Sequence, residues 1–165
     1  MFDFKPDSAL DTPERYRQLC DAADALTGGE PDAVANMANV AALLWEFVPD
    51  LNWAGFYRMG ESASGADELV LGPFVGRPAC IRIPVGRGVC GAAAADGTTQ
   101  LVEDVHAFPG HIACDAASRS ELVVPVLRDG QVIAVIDLDS PNPARFTEED
   151  AKGVENLAAL LSSRI

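Results

Sequence analysis

Four cysteines are the residues of this sequence with the most evident chemical potential: Cys20, Cys80, Cys90 and Cys114. Cysteines in a reducing compartment seldom form permanent disulfides, and these spacings do not match the short C-x-x-C pairs of zinc sites. Adding His106 and His111 gives only a weak and irregular zinc signal. The cysteines are therefore candidate reactive thiols.

Cys114 lies in a stretch of small and polar residues that predicts an exposed loop. A thiol in such a loop can react once its pKa falls toward neutrality, and the nearby His111 could assist. Cys80 and Cys90 lie near the ends of predicted elements, where either could supply the second thiol that displaces water from a sulfenic acid. Cys20 occupies the apolar stripe of a predicted helix and is interpreted as a core residue.

Carboxylates form a second candidate group. The alternating pattern of residues 132–140 places Ile133, Val135, Asp137 and Asp139 on one face of a strand. Burying charged carboxylates on a partly apolar face costs free energy unless they bind a partner. Burial would also raise their pKa toward neutrality, where a carboxylic acid can donate a proton. Glu121, at the start of the partner strand, could join them. The alternative is that both aspartates lie in solvent at a strand end.

Aromatic residues offer a possible wall for a small ligand. Trp53 and Tyr57 share strand parity, so that one face of a strand can present both. A core role is the commoner use of such residues. The glycine-rich stretch at residues 86–91 does not follow the G-x-G-x-x-G order of a dinucleotide loop.

Helices are predicted at both ends of the chain, with strands between them. Apolar spacing indicates a helix from about residue 13 to the glycines at 28 and 29, and a second over residues 31–48. Strands are expected at 52–59, 68–76, 80–85 and 100–105, with a short helix closed by Gly97. A hairpin joins 121–127 to 131–139 across an Asp-Gly turn, and a capped helix begins at 147. This order predicts an α+β fold.

Composition narrows the class of protein. The chain has 165 residues and a formal net charge of −13, which is unfavourable for binding nucleic acid or anionic membranes. No apolar run approaches the ~18 residues of a transmembrane helix, and the first residues lack the pattern of a signal peptide. We therefore expect a single cytoplasmic domain over residues 1–165, in which a helical part (1–50) packs on a sheet and residues 147–165 form the last helix.

Four segments resemble the free methionine-(R)-sulfoxide reductases, which are single GAF-domain enzymes. They are NWAGFYRM (52–59), LVLGPFVGRPACIRIPVGRGVCG (69–91), EDVHAFPGHIACDAASRSELVVPV (103–126) and VIDLDSPNPARFTEED (135–150). The resemblance implies a six-stranded antiparallel sheet flanked by helices, a small buried pocket and a homodimer. It also implies reduction of the R epimer of free methionine sulfoxide without metal, flavin or nucleotide, with electrons supplied by thioredoxin.

The same resemblance assigns expected roles to individual residues. Cys114 matches the nucleophile that becomes a sulfenic acid, Cys80 the resolving cysteine that forms a disulfide with it, and Cys90 a third cysteine that some accounts place in the catalytic step. Glu121, Asp137 and Asp139 match the pocket acids, which hold the sulfoxide oxygen and the substrate amine. Trp53 and Tyr57 match the aromatic wall around the methyl-thioether end.

Two other functions fit parts of the pattern. One is a GAF-type sensor that binds a small ligand without turnover, and the other is a redox regulator that signals through a disulfide. Neither would consume a reductant in proportion to a product.

Overall fold

A computed structural model describes residues 4, 6, 9–110 and 116–165 of the chain. Four helices, six strands and a short 3₁₀ helix at Val105–Ala107 make up the described part. In chain order they are α1 (Thr12–Thr27), α2 (Ala33–Phe47), β1 (Trp53–Glu61), β2 (Asp67–Gly76), β3 (Arg82–Pro84), α3 (Gly88–Asp96), β4 (Gln100–Val102), β5 (Ser120–Arg128), β6 (Gln131–Ser140) and α4 (Glu148–Leu161).

The six strands form one antiparallel sheet in the order β3-β2-β1-β6-β5-β4. The two central strands, β1 and β6, are far apart in sequence and pair over six registered positions. The predicted α+β fold with a six-stranded sheet is confirmed. Strands β3 and β4, at the two edges, have only three residues each and are shorter than predicted.

Local sequence signals explain where the helices begin and end. The side chain of Asp11 accepts a hydrogen bond from the backbone N–H of Glu14 at the start of α1, and Thr147 and Asp150 form a reciprocal capping box at the start of α4. Gly97 ends α3 in the left-handed region, with φ of 64°, which a glycine adopts without strain. These boundaries agree with the predicted ones.

The β5–β6 hairpin turns at Asp129 and Gly130, which have φ values of 52° and 79°. Two successive positive φ angles are typical of the turn that an Asp-Gly pair favours. The register then shifts beside Ile133, so that Val126 pairs with Ala134 but Leu127 pairs with Val132. Ile133 consequently packs against the apolar cluster between the sheet and helices α2 and α4. The prediction that Ile133 shares a face with Val135, Asp137 and Asp139 is wrong, because this bulge interrupts the alternation.

The sheet has two different faces. Helices α2 and α4 cover one face, and α1 packs on both of them. The apolar cluster on this side includes Phe56 from β1, Leu122 from β5, and Ile136 and Leu138 from β6. The opposite face is covered by α3, whose Val89, Cys90 and Ala93 pack against Trp53, Tyr57, Val123 and Val135. Successive side chains of each strand therefore point alternately toward α2 and α4 on one face of the sheet and toward α3 on the other.

Within the part of the chain that the structure describes, no helix combines the length and apolarity required to cross a membrane.

Candidate active site

The candidate site lies on the second face of the sheet, where three strands place polar side chains in adjacent rows. Asp139 of β6 pairs with Trp53 of β1 on one side and with Glu121 of β5 on the other. Asp137 lies two residues before Asp139 and therefore projects to the same face. The hairpin brings the three acids together, which the sequence predicted for Asp137 and Asp139 and suggested for Glu121.

Cys90 approaches these acids from α3. Gly91 packs so closely that a Cβ atom there would lie 2.6 Å from the carbonyl oxygen of Pro84, and this close approach holds the start of α3 against the end of β3. The Cys90 Sγ lies 3.9 Å from Glu121 Oε1, within the range of a thiol hydrogen bond. Cys90, Glu121 and Asp137 are 4%, 6% and 6% exposed, so water hardly reaches this cluster.

Burial changes the proton affinity of all three groups. Desolvation raises the pKa of Glu121 well above its usual value, and the negative charges of Asp137 and Asp139 raise it further. Burial raises the pKa of Asp137 to about 7, although hydrogen bonds from Cys90 and Glu121 lower it. The pKa of the Cys90 thiol is also raised, first by burial and then by the two acids. Near neutral pH the cluster therefore keeps protons that exposed acids would lose.

One oxygen of the cluster has no hydrogen-bond partner within the described residues. Asp137 Oδ1 is buried and unpaired. An unsatisfied buried carboxylate oxygen is costly, and such an atom in a native protein requires an explanation, for example a bound ligand. Asp137 Oδ1 is therefore available to accept a hydrogen bond from a ligand in the site.

An aromatic wall borders the acids. The Trp53 ring stacks on Tyr57 at a centroid distance of 5.8 Å and on Phe74 at 5.2 Å. The polar atoms of the first two rings hold the segment between β2 and β3, because Trp53 Nε1 donates to the Arg77 carbonyl at 3.1 Å and the Tyr57 hydroxyl donates to the Cys80 carbonyl at 3.0 Å. The wall thus holds the backbone of Arg77 and Cys80 in place.

A cavity of about 20 Å³ lies between the wall and the acids. It is lined by Trp53, Tyr57, Arg77, Pro78, Ala79, Asp137 and Asp139. Arg77, Pro78 and Ala79 were not among the candidates from sequence. They lie between two predicted strands, at 68–76 and 80–85, and that position gives no indication that they face a cavity.

The cysteines differ in chemical state and setting. Cys80 is disulfide-bonded, whereas Cys20 and Cys90 are free thiols. Cys20 is half-buried in α1, away from the acids, and burial raises its pKa to about 11. The predicted nucleophile Cys114 and its neighbour His111 lie outside the described residues.

A cation could be held by the same buried cluster. Cys90, Glu121 and Asp137 each offer one ligand atom, and these atoms all lie within 4.8 Å of one another. His106, the one histidine among the described residues, is exposed on the 3₁₀ helix and is not part of this group.

Comparison with known proteins identifies the family. The family model described as GAF domain matches residues 34–165. The free methionine-R-sulfoxide reductase of Escherichia coli is 51% identical over 152 residues, covering 92% of this chain and 89% of that protein. The enzyme of the same name from Saccharomyces cerevisiae is 41% identical, covering 94% of this chain and 88% of that protein. The chain belongs to the free methionine-R-sulfoxide reductase family of GAF-domain proteins.

Solved structures agree with this family. The free methionine-R-sulfoxide reductase of Neisseria meningitidis, determined in complex with its substrate, is 47% identical and superposes with a TM-score of 0.89. The match covers 97% of this chain and 93% of that one. The family assignment made from the sequence is confirmed, and membership of this reductase family classifies the chain as an oxidoreductase.

Proposed function

We propose that this protein reduces free L-methionine (R)-S-oxide to L-methionine. The observation that carries the proposal is the buried cluster of Cys90, Glu121 and Asp137 beside an aromatic wall, where the raised carboxyl pKa values favour proton donation near neutral pH. The relatives from E. coli and yeast are named for this reaction, and the Neisseria enzyme was determined with its substrate.

Protonation is the first requirement of the reaction. Attack of a nucleophile on the sulfoxide sulfur increases the negative charge on the oxygen, which is unfavourable unless a proton or a strong hydrogen bond neutralises it. Glu121 and Asp137 supply that proton, because burial keeps at least one of them neutral near pH 7. The carboxylate that remains charged, with Asp139, attracts the ammonium group of the amino acid.

The cysteines carry the electrons. The Cys114 thiol attacks the sulfoxide sulfur, and the oxygen ends on Cys114 as a sulfenic acid while the thioether methionine leaves. The Cys80 thiol then displaces water from the sulfenic acid and forms a disulfide with Cys114. The bonded state of Cys80, with Cys20 and Cys90 as free thiols, supports this pairing. A thioredoxin dithiol reduces the disulfide and becomes oxidised itself, which restores both cysteines.

Cys90 has a different part in this scheme. Its pKa is raised by burial and by the adjacent acids, so it is a poor thiolate and a poor nucleophile. Its thiol hydrogen bond to Glu121 instead orients the carboxyl that faces the sulfoxide oxygen. We therefore assign Cys90 to positioning the proton donor.

Restriction to the free amino acid follows from the charges that line the pocket. The Trp53 and Tyr57 rings take the methyl-thioether end, and Asp137 and Asp139 supply the negative charge for the ammonium group. A methionine sulfoxide residue inside a peptide has no ammonium group and carries chain on both sides. Turnover of a methionine sulfoxide peptide would contradict this part of the proposal.

The decisive experiment follows NADPH oxidation with thioredoxin and thioredoxin reductase, supplying the separate R and S epimers of free methionine sulfoxide. We expect turnover of the R epimer, loss of turnover in Cys114→Ser and retention in the matched control Cys20→Ser. Full activity of Cys114→Ser would refute Cys114 as nucleophile and favour Cys90. Saturable binding of the R epimer without turnover under any reductant would favour a ligand sensor instead.

A further inference from the structure

The buried cluster of Cys90, Glu121 and Asp137 contains side chains that zinc prefers as ligands, in addition to its role as a proton donor. We propose that Zn²⁺ binds to Cys90 Sγ and to one carboxylate oxygen each of Glu121 and Asp137, and thereby blocks the site. The cation is an inhibitory ligand, not a cofactor of the reaction.

Distances between the donor atoms suit a tetrahedral ion. The three atoms lie within 4.8 Å of one another, and the Cys90 Sγ to Glu121 Oε1 separation is 3.9 Å. With metal bonds of roughly 2.0–2.3 Å, ligand atoms of a tetrahedral zinc ion are roughly 3.3–3.8 Å apart. The Cys90–Glu121 pair is close to this range, and binding has to draw any wider pair of donor atoms into it by side-chain rotation.

Asp137 gives an independent indication of a missing partner. Its Oδ1 is buried and has no hydrogen-bond partner within the described residues. The same carboxyl borders the cavity of about 20 Å³, which has room for roughly one water molecule. Three protein ligands and one water are the arrangement of zinc sites that keep an open position.

The ligand chemistry selects among cations. A thiolate is a soft donor that favours zinc over magnesium or calcium, which prefer six or more oxygen ligands. Low exposure of all three groups strengthens their interaction with a dication, because water screens the charges only weakly there. Magnesium should therefore not compete with zinc at this site.

Zinc in this position would use the carboxyl groups that protonate the sulfoxide. This consequence rests on the proposed function: zinc should inhibit turnover competitively with the sulfoxide, and a chelator should restore activity. Binding of the ion to the cluster does not depend on that function and is measured separately.

The binding experiment uses the full chain with its disulfide formed, so that Cys80 is not available as a metal ligand. Cobalt, as a spectroscopic substitute, should give a thiolate-to-cobalt absorption band, and zinc should displace cobalt at one ion per chain while magnesium should not. In Cys90→Ser the band should vanish and zinc affinity should fall by at least about tenfold. Cys20→Ser, the matched thiol control, should behave as the wild type.

One further variant tests the contribution of a carboxylate ligand. Asp137→Asn should weaken zinc binding while preserving the cobalt–thiolate band, and circular dichroism checks that each variant is folded. Failure of zinc to bind the wild type, or equal binding by folded Cys90→Ser, would overturn the inference. Zinc binding without any sulfoxide turnover would leave the metal site standing and refute the proposed function, whereas turnover without zinc binding would refute the metal site alone.

Discussion

Replacing Asp137 by asparagine should flatten the dependence of stability on pH. In the folded protein, burial raises the pKa of this carboxyl from 3.8 to about 7. The folded state therefore favours the neutral form, and the stability it provides is present at low pH and is lost as the pH rises from 3.8 through about 7. Asparagine stays neutral and removes this loss.

The size of the effect follows from the two pKa values. At about 1.36 kcal/mol per pKa unit, the interval from 3.8 to about 7 corresponds to about 4 kcal/mol once the group is fully ionised. About 1.5 kcal/mol of this is lost by about pH 5 and nearly all by about pH 8, so about 2.5 kcal/mol is lost between them. Asparagine also removes the charge that helps to raise the pKa of Glu121, which acts in the same direction.

Urea unfolding at about pH 5 and about pH 8 measures the difference directly, since the linear extrapolation gives a free energy of unfolding at each pH. The wild type should lose about 2.5 kcal/mol more than Asp137→Asn between the two conditions. Glu61→Gln, at an exposed position at the end of β1, is the matched control and should follow the wild type. An equal loss in wild type and Asp137→Asn would refute the buried, neutral carboxyl on which the proton-donor mechanism depends.

Three further variants test the packing and the positioning of Cys80. In Gly153→Ala a Cβ atom would lie 2.1 Å from Tyr16 Cγ, so the loss of stability should be about 1–3 kcal/mol by thermal unfolding despite the better helix propensity of alanine; no loss would contradict the close α1–α4 contact. Tyr16→Phe removes the buried hydrogen bond to Asp150 of 3.0 Å and should cost about 1–2 kcal/mol in urea unfolding; an unchanged midpoint would show that the bond contributes little. Tyr57→Phe removes the hydrogen bond to the Cys80 carbonyl. The rate of disulfide formation after one turnover, measured by rapid quench, should therefore fall several-fold, while the free energy of unfolding changes by less than about 1.5 kcal/mol. An unchanged rate would mean that Tyr57 does not position Cys80.

Signals that are local in sequence predicted much of the fold. The Asp-Gly turn, the Thr147 cap and the closing glycine at Gly97 each depend on a few neighbouring residues, and all three are present in the structure. The bulge at Ile133 was not predictable, because it is fixed by the pairing of two strands and not by the composition of either. The lengths of the edge strands β3 and β4 were overestimated, because strand length also depends on pairing with a neighbouring strand.

The shared face of the acids was predicted from the sequence, but the approach of Cys90 to them was not. Alternation placed Asp137 and Asp139 on one face, yet the contact of Cys90 with Glu121 joins residues 31 positions apart through the docking of α3. No local pattern reports such a contact. The roles of Cys114 and Cys80, the homodimer, the thioredoxin partner, the extent of the domain and the cytoplasmic location stay predictions.

The two-faced sheet has a consequence for how this gene can vary. Along β6, Ile136 and Leu138 fill the helix-side core, whereas Asp137 and Asp139 border the cavity. Neighbouring codons are thus under different selection: the first pair should accept other apolar residues of similar volume, and the second should reject changes of charge even where the fold survives. A mutational scan scored separately for abundance and for activity should therefore show an alternation with a period of two along this strand.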